Sequence, residues 1–383
     1  MDNIAGTKSS LTWAVNISVI ALALLWIMPT LGLFISSFRT ADQIATSGWW
    51  KALFPSEQNL VLRADDPEGN RVERAGVYVV EGQLFEAGHS AEISAWGISS
   101  REISAYVPGE TADLGDGETL TVQADGAYVW TGNADQLSGR GQRIFVTATT
   151  PPEFTTANYN RVLFSGSTTD GMANAFFNTL TVTIPATIIP IAIAAFAAYA
   201  LAWMDFPGRG LLIAAIVGLL VVPLQLALIP LLKFHLGIGI GKGYLGTWMA
   251  HTGFGLPLAV YLLRNYMVGL PRDIIENAKV DGATDFQIFT RIILPLSFPA
   301  LASFAIFQFL WTWNDLLVAK VFLIDATGET TVMTNQIVEL LGTRGGNWEI
   351  LATAAFVSIA VPLIVFFSMQ RYLVRGLLAG SVK

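Results

Sequence analysis

The chain has 383 residues, 53% apolar and only 13% charged, where an average soluble domain carries about 25% charged residues; with a mean hydropathy of +0.53, this predicts a membrane protein. It contains no cysteine, which excludes a disulfide framework, a thiolate metal site and a cysteine nucleophile. Its net charge of −7 excludes a strongly basic nucleic-acid footprint.

The acidity is concentrated in one block. Residues 39–171 hold nine Lys/Arg and eighteen Asp/Glu, whereas the rest of the chain holds thirteen and eleven. A polar acidic segment thus interrupts a nearly neutral apolar body.

A bilayer-spanning helix needs about 20 mostly apolar residues. Six stretches qualify, at about 11–38, 174–203, 211–232, 245–266, 294–317 and 350–373. The first exceeds the roughly 7–15 apolar residues of a cleaved signal peptide, and no clean small-residue cleavage site follows it. It reads as a retained span. Pro185, Pro190, Pro223, Pro257, Pro299 and Pro362 fall within the spans, where neighbouring helices can satisfy the backbone groups they free. "AIAAFAAYALA" in the second span supplies small residues for close helix contact.

Lysine and arginine near span ends set orientation. With the N-terminus inside, Lys8, Arg209, Arg264, Arg272, Lys279, Arg291, Arg371, Arg375 and Lys383 are cytoplasmic. Lys233, Lys242, Lys320 and Arg344 are then outside. The nine-to-four bias predicts that both termini are cytoplasmic and the acidic block is extracytoplasmic. Within that block "RAGVYVVEGQLFEAG", "AEISAWGIS", "TLTVQADGAYVWTG" and "QRIFVTAT" place β-branched and aromatic residues between turn formers. They predict a small antiparallel β domain, with a hairpin turn at Asp125-Gly126. Its role reads as a spacer, a brace or a working domain.

The stretch "ENAKVDGATDFQIFTRIILP" (276–295) puts charges between two spans. Asp273 with Glu276, and Thr284 with Gln287, have the spacing of capping pairs, so two short helices are predicted, with Gly282 at the reversal. On the second, Phe286, Phe289 and Ile293 share a face. Exposed aromatics beside closely spaced charges are what a protein docking knob requires. Elsewhere, "GIGIGKG" (237–243) lacks the strand context and the Ser/Thr of a phosphate-binding loop and reads as a turn. His89, His235 and His251 have no metal spacing, so neither a metal site nor a catalytic residue is expected.

Glu276, Ala278, Gly282, Ile292, Leu294 and Pro295 closely resemble the "EAA" loop of ATP-binding-cassette (ABC) importer permeases, with Asn277 where that family usually has alanine. "NAFFNTLTVTIPAT", "AAYALAWMDFPGRG", "GFGLPLAVYLLRNYMVGLPRDIIENAKVDGA", "WTWNDLL" and "QRYLVRGLLAGSVK" resemble the maltose-type carbohydrate permeases. The large insert after the first span is similar to the α-glucoside branch. The resemblance implies a coupling helix seated on an ATPase subunit, with Glu276, Ala278, Asp281, Gly282, Phe286 and Phe289 as its residues, and a C-terminal tail that reaches the ATPases. It also implies a second homologous permease, a homodimeric ATP-binding subunit and an extracytoplasmic solute-binding protein. No cofactor is expected in this chain. ATP and Mg belong to the partner ATPase, consistent with the absence of G-x-x-x-x-G-K-[ST].

Buried ionisable residues mark ion-coupled carriers, and the spans hold almost none. This favours an externally powered permease over the alternative, an ion-coupled secondary sugar transporter. A membrane-anchored receptor working through its β domain is a third reading. Phe304, Gln308, Trp311 and Asp315 share one face of the fifth span and, with Gln225 in the third, could line a substrate path. Bundle packing with an interfacial tryptophan explains the same pattern.

The sequence reading is therefore an all-α polytopic membrane protein of the cytoplasmic membrane, with six transmembrane helices and an inserted extracytoplasmic β-rich domain. Residues 1–38 hold the first span, 39–171 the insert, and 172–383 a permease core with five spans and a coupling loop at about 267–293. Disaccharide, α-glucoside, polyol and glycerol phosphate all stay open as solutes.

Overall fold

Helix α1 (Ser10–Ser36) opens the computed structural model, which describes residues 10–74, 76–85, 91–164, 172–324, 327–343 and 346–378. Lys8, Arg344, Lys383 and the end of the C-terminal tail lie outside the described residues. The chain divides into two units, Met1–Asn158 with Asn347–Thr353, and Tyr159–Gly346 with Ala354–Lys383.

In the first unit, α1 exposes its apolar side chains almost throughout; Trp26 is 81% exposed. Its C-terminal end is held by polar contacts. The Ser37 carbonyl accepts from Asn158 Nδ2 at 3.0 Å and Thr353 Oγ1 at 3.2 Å. Buried Arg39 donates to the carbonyls of Gln43 (2.6 Å) and Ser47 (2.9 Å).

Among the described residues eight strands follow: β1 (Ser56–Arg63), β2 (Val72–Arg74), β3 (Val77–Gln83), β4 (Glu92–Gly97), β5 (Thr111–Gly115), β6 (Glu118–Val122), β7 (Ala127–Gly132) and β8 (Arg143–Thr150). They form a three-stranded sheet of order β1-β8-β4 and a five-stranded sheet of order β2-β3-β7-β6-β5. Every pairing between them is antiparallel. Alternation along β8 and β7 turns Ile144, Val146 and Ala148, and Tyr128 and Trp130, into one apolar core. Trp96 and Leu120 complete it. The Asp125-Gly126 turn joins β6 to β7, with Gly126 N donating to the Gln123 carbonyl and Asp125 Oδ1 accepting from Ala127 N.

Tyr128 carries a pH-sensitive bond in this core. Its hydroxyl accepts from Asp65 N at 2.7 Å and donates to Asp65 Oδ2 at 2.9 Å. Burial, and behind it the Asp65 carboxylate, pushes its pKa up to about 12 from 10.0. Below pH 10 the phenol is neutral in both folded and unfolded chains. Between pH 10 and 12 only the unfolded chain ionises, so native stability contributed by this group is lost through that window. In a tyrosinate absorbance titration of the intact protein, the parent minus Tyr128→Phe difference should therefore titrate near the upper end. Titration at the ordinary tyrosine value would refute this.

The second unit is helical. Its long elements are α2 (Ala173–Trp203), α3 (Arg209–Leu219), α4 (Leu224–Gly237) and α5 (Tyr244–Val268). After the loop come α6 (Arg272–Val280), α7 (Asp285–Ile288), α8 (Phe298–Trp313), α9 (Leu317–Phe322), α10 (Met333–Thr343) and, from Ala354 on, α11 (Trp348–Leu378), whose first residues belong to the first unit. Among the described residues, three helices are long and apolar enough to cross a bilayer: α1, α2 and α11. The count reaches five if each bent pair is one span.

Two expected spans are thus not single straight helices. The third breaks by 112° between α3 and α4, where Pro223 takes an extended backbone and supplies no N–H. The fifth bends by 69° between Asp285–Leu296 and α8, next to Pro295 and Pro299. It ends at Trp313, and α9 begins after another break. The fourth is the 25-residue helix α5, which carries Thr247, His251 and Thr252 buried within it. Alanines on α2 (Ala194, Ala198, Ala202) and Ala259 on α5 lie in one core with Leu263 and Met267, where small side chains let helices approach closely.

Candidate functional site

The loop after α5 joins that same core. Ile275 and Ala278 of α6, then Ile288, Phe289 and Ile293, are buried with α2, α5 and α8 side chains. The reversal between α6 and α7 follows from its backbone bonds. Gly282 N donates to the Lys279 carbonyl and Ala283 N to the Ala278 carbonyl, each at 3.0 Å. This is a Schellman termination, whose left-handed residue is Gly282 at φ +80°. Thr284 then caps α7, with its side chain accepting from Gln287 N and Gln287 Oε1 accepting from Thr284 N.

The other expected capping pair is corrected. Helix α6 has Pro271 at its N-cap and no side-chain cap bond. Asp273 lies in the first turn, where a carboxylate suits the positive helix end. Glu276 pairs instead with Arg272 at 3.0 Å, both side chains exposed.

Of the coupling residues singled out above, Glu276, Asp281, Gly282 and Phe286 are exposed and Ala278 is buried. Phe289 contradicts the expectation of an exposed aromatic. Only 3% of it is accessible, and its ring sits 4.6 Å from Phe196 and 5.3 Å from Tyr199 of α2, centroid to centroid. The cause is tertiary: α2 offers its two rings to Phe289, and the π-helical turn that begins there (Phe289–Ile293) alters the register only of the residues after it. The outer apolar surface comprises Val280 (86% exposed), Phe286 (66%) and part of Ile274. Val280 gave no sequence signal beyond being an apolar residue at a helix end.

A cavity of about 590 Å³ lies elsewhere in this unit, among the α3–α4 break, residues 253–258 of α5 and the α8 face. Phe304, Gln308 and Trp311 are among the residues that line it. Gln308 Nε2 donates to the Ala186 carbonyl at 3.0 Å, joining α8 to α2. A Cβ at position 255 would fall 2.5 Å from Gln308 Oε1, so a larger residue there requires the Gln308 amide to move. Gln225 is exposed and is not among the lining residues, although its neighbour Leu224 is. Asp315 does not line the cavity either. Its Oδ2 accepts from Ala319 N at 3.1 Å and lies 3.8 Å from His251 Nε2. The lining is mainly aliphatic and aromatic, and Gln308 and Trp311 are its main hydrogen-bonding side chains. Among the described residues no group of His, Asp and Glu is arranged to hold a metal ion.

Residues 157–378 match the family described as binding-protein-dependent transport system inner membrane component. The chain belongs to this family. It is 62% identical over 381 residues to the alpha-glucoside transport system permease protein AglG of Rhizobium meliloti (strain 1021), covering 98% of both chains. It is 41% identical over 369 residues to the osmoprotective compounds uptake permease protein GgtD of Synechocystis sp. (strain ATCC 27184 / PCC 6803 / Kazusa), covering 96% of this chain and 91% of that one. A bacterial ABC transporter that imports the acidic polysaccharide alginate aligns with 58% of this chain and 81% of its own, at 22% identity and a TM-score of 0.48. As a family member, the chain is the permease subunit of an ABC importer and a membrane component, not an enzyme.

Proposed function

We propose that this permease carries an α-glucoside, an oligosaccharide-sized carbohydrate, across the cytoplasmic membrane by alternating access. The full-length 62% identity to an alpha-glucoside permease carries this reading, because it includes the β-rich region as well as the helices. The chain has six spans when α5 is counted with the five apolar ones, both termini are cytoplasmic, and the segment 39–171 is extracytoplasmic. A second permease completes the membrane part. A homodimeric ATPase binds ATP and Mg, and a solute-binding protein delivers the sugar.

In this reading Glu276, Asp281 and Phe286 meet the ATPase, with Val280 beside them. Ala278 and Gly282 shape the turn, and Phe289 anchors it from within. Closure of the ATPases on ATP pushes this loop, the attached helices rock, and access changes side. The cavity at Phe304, Gln308 and Trp311 is the stretch of the path this chain contributes. Its aromatic wall suits a sugar face and its amide a hydroxyl. Asp315 supports that wall from behind, and Gln225 faces the partner permease or lipid.

The test is uptake of radiolabelled maltose, an α-glucoside, by cells lacking this gene and by the complemented strain. Complementation should restore uptake, and ATP depletion should abolish it. Uptake that survives ATP depletion but collapses with the proton gradient would identify an ion-coupled carrier instead.

A further inference from the structure

One carboxylate in the loop makes two contacts that docking on an ATPase does not require. Asp285 Oδ1 accepts from the Tyr199 hydroxyl at 3.3 Å, and the same oxygen lies 3.7 Å from Lys279 Nζ. Lys279 is on α6, Asp285 on α7 and Tyr199 on α2. A single side chain therefore holds the two short helices against each other across the Gly282 reversal and ties both to a membrane helix. The Phe289 ring, packed on Phe196 and Tyr199, makes a second and apolar attachment to the same turn of α2.

Tyr199 is nearly buried, with 5% of its surface accessible, whereas the Asp285 side chain is 48% exposed. The tyrosine is thus fixed by its own packing and the carboxylate comes to it. The joint lies one turn from the C-terminal end of α2 at Trp203. A push on the loop reaches this helix end over a few ångströms, without passing through the α5 connection at residues 269–271. The π turn at Phe289–Ile293 begins at this attachment and runs on toward α8. A wider, less regular turn is a natural place for bending, so the chain bends more readily after Phe289, on the way to α8, than at its ties to α2.

We infer that Tyr199 is a positioning residue which, through Asp285, fastens the coupling loop to α2, so that loop and helix move as one body during transport. This rests on the coupling reading above. Tyr199→Phe keeps the ring and removes only the hydroxyl, and Asp285→Ala removes both polar ties. In proteoliposomes holding the complete importer, each variant should assemble with its ATPase and hydrolyse ATP. Each should move less maltose per ATP, by about 2- to 30-fold, the span of coupling changes seen when a connecting residue is altered.

The chain's lack of cysteine permits a test of opposite sign. Tyr199→Cys with Asp285→Cys, bridged by a bifunctional methanethiosulfonate, replaces the polar tie with a covalent one. The bridged importer should recover maltose moved per ATP, and reductant should remove the gain. Parental coupling in both single variants, failure of Tyr199→Phe to assemble, or arrest of transport by the bridge would each overturn the inference. Phe286→Asp separates this from the underlying reading. If Phe286→Asp leaves ATPase association unchanged, the docking assignment fails. If it releases the ATPase while the tyrosine variants behave as parent, only the tie to α2 fails.

Discussion

Gly282→Pro should abolish uptake while the permease still inserts in the membrane. Gly282 occupies φ +80°, and proline is restricted to about −65°. The substitution also deletes the bond from Gly282 N to the Lys279 carbonyl. A cost of about 3 kcal/mol or more lowers the population of the native reversal by a factor of about 100. The loop would then present Glu276 and Phe286 in the wrong relation, and the ATPase should no longer co-purify. Gly282→Ala is the graded control. Nothing lies within 4 Å of a Cβ at this position, so the penalty is only that of a left-handed alanine, about 1–2 kcal/mol. Normal uptake and ATPase recovery in the proline variant would count decisively against the assigned role of the turn.

The second large effect is expected in the β-rich region. Trp96 is fully buried, its Nε1 donates to the Val107 carbonyl at 3.2 Å, and its ring lies 4.9 Å from Tyr106. Trp96→Ala should destabilise these sheets by about 3–5 kcal/mol, the usual cost of truncating a core aromatic. Limited proteolysis of the intact chain should then cut within 56–150 while α2, α5 and α8 stay protected. Maltose uptake by the same variant reports what the region does. Preserved uptake makes it accessory, and lost uptake makes it part of the working importer. The ends of its outer portion already meet, since Arg63 Nη1 donates to the Gly141 carbonyl at 2.6 Å. A deletion between those residues can therefore be closed by a short link and tests the same point, although it also removes β4 and the core that β8 packs against. Unchanged protease resistance in Trp96→Ala would refute the packing argument.

Much of this was readable in the residue order. Apolar stretches identify bilayer-length helices because the hydrocarbon core sets a length and a composition that few other environments demand. Alternation in "AYVWTG" and "RIFVTATT" predicts strands, and the strands β7 and β8 lie there. The Thr284–Gln287 spacing predicts a capping box, and Gly282 predicts a reversal, because both are local backbone chemistry decided within a few residues. Asp273 and Glu276 had the same spacing as a capping pair but formed none, since Pro271 already occupied the cap position.

What depended on distant contacts was not readable. The third and fifth apolar stretches look continuous, and nothing in their hydropathy separates a straight helix from one bent by 112° or 69°. Phe286 and Phe289 look equivalent three residues apart, yet one is exposed and the other buried, because α2 presents two aromatic rings to the second and none to the first. His251 looks like a scattered histidine and lies 3.8 Å from Asp315, 64 positions later.

By itself the sequence determined the membrane class, the strand-forming segment, the turn chemistry of the loop and the family. Each of these follows from composition or from interactions among near neighbours, which a chain carries wherever it folds. Only the tertiary structure decided which face of the loop is free, which side chains line the cavity and that Asp285 reaches Tyr199 across 86 positions. Those depend on where separate helices pack, and packing is a property of surfaces brought together, not of residues in order.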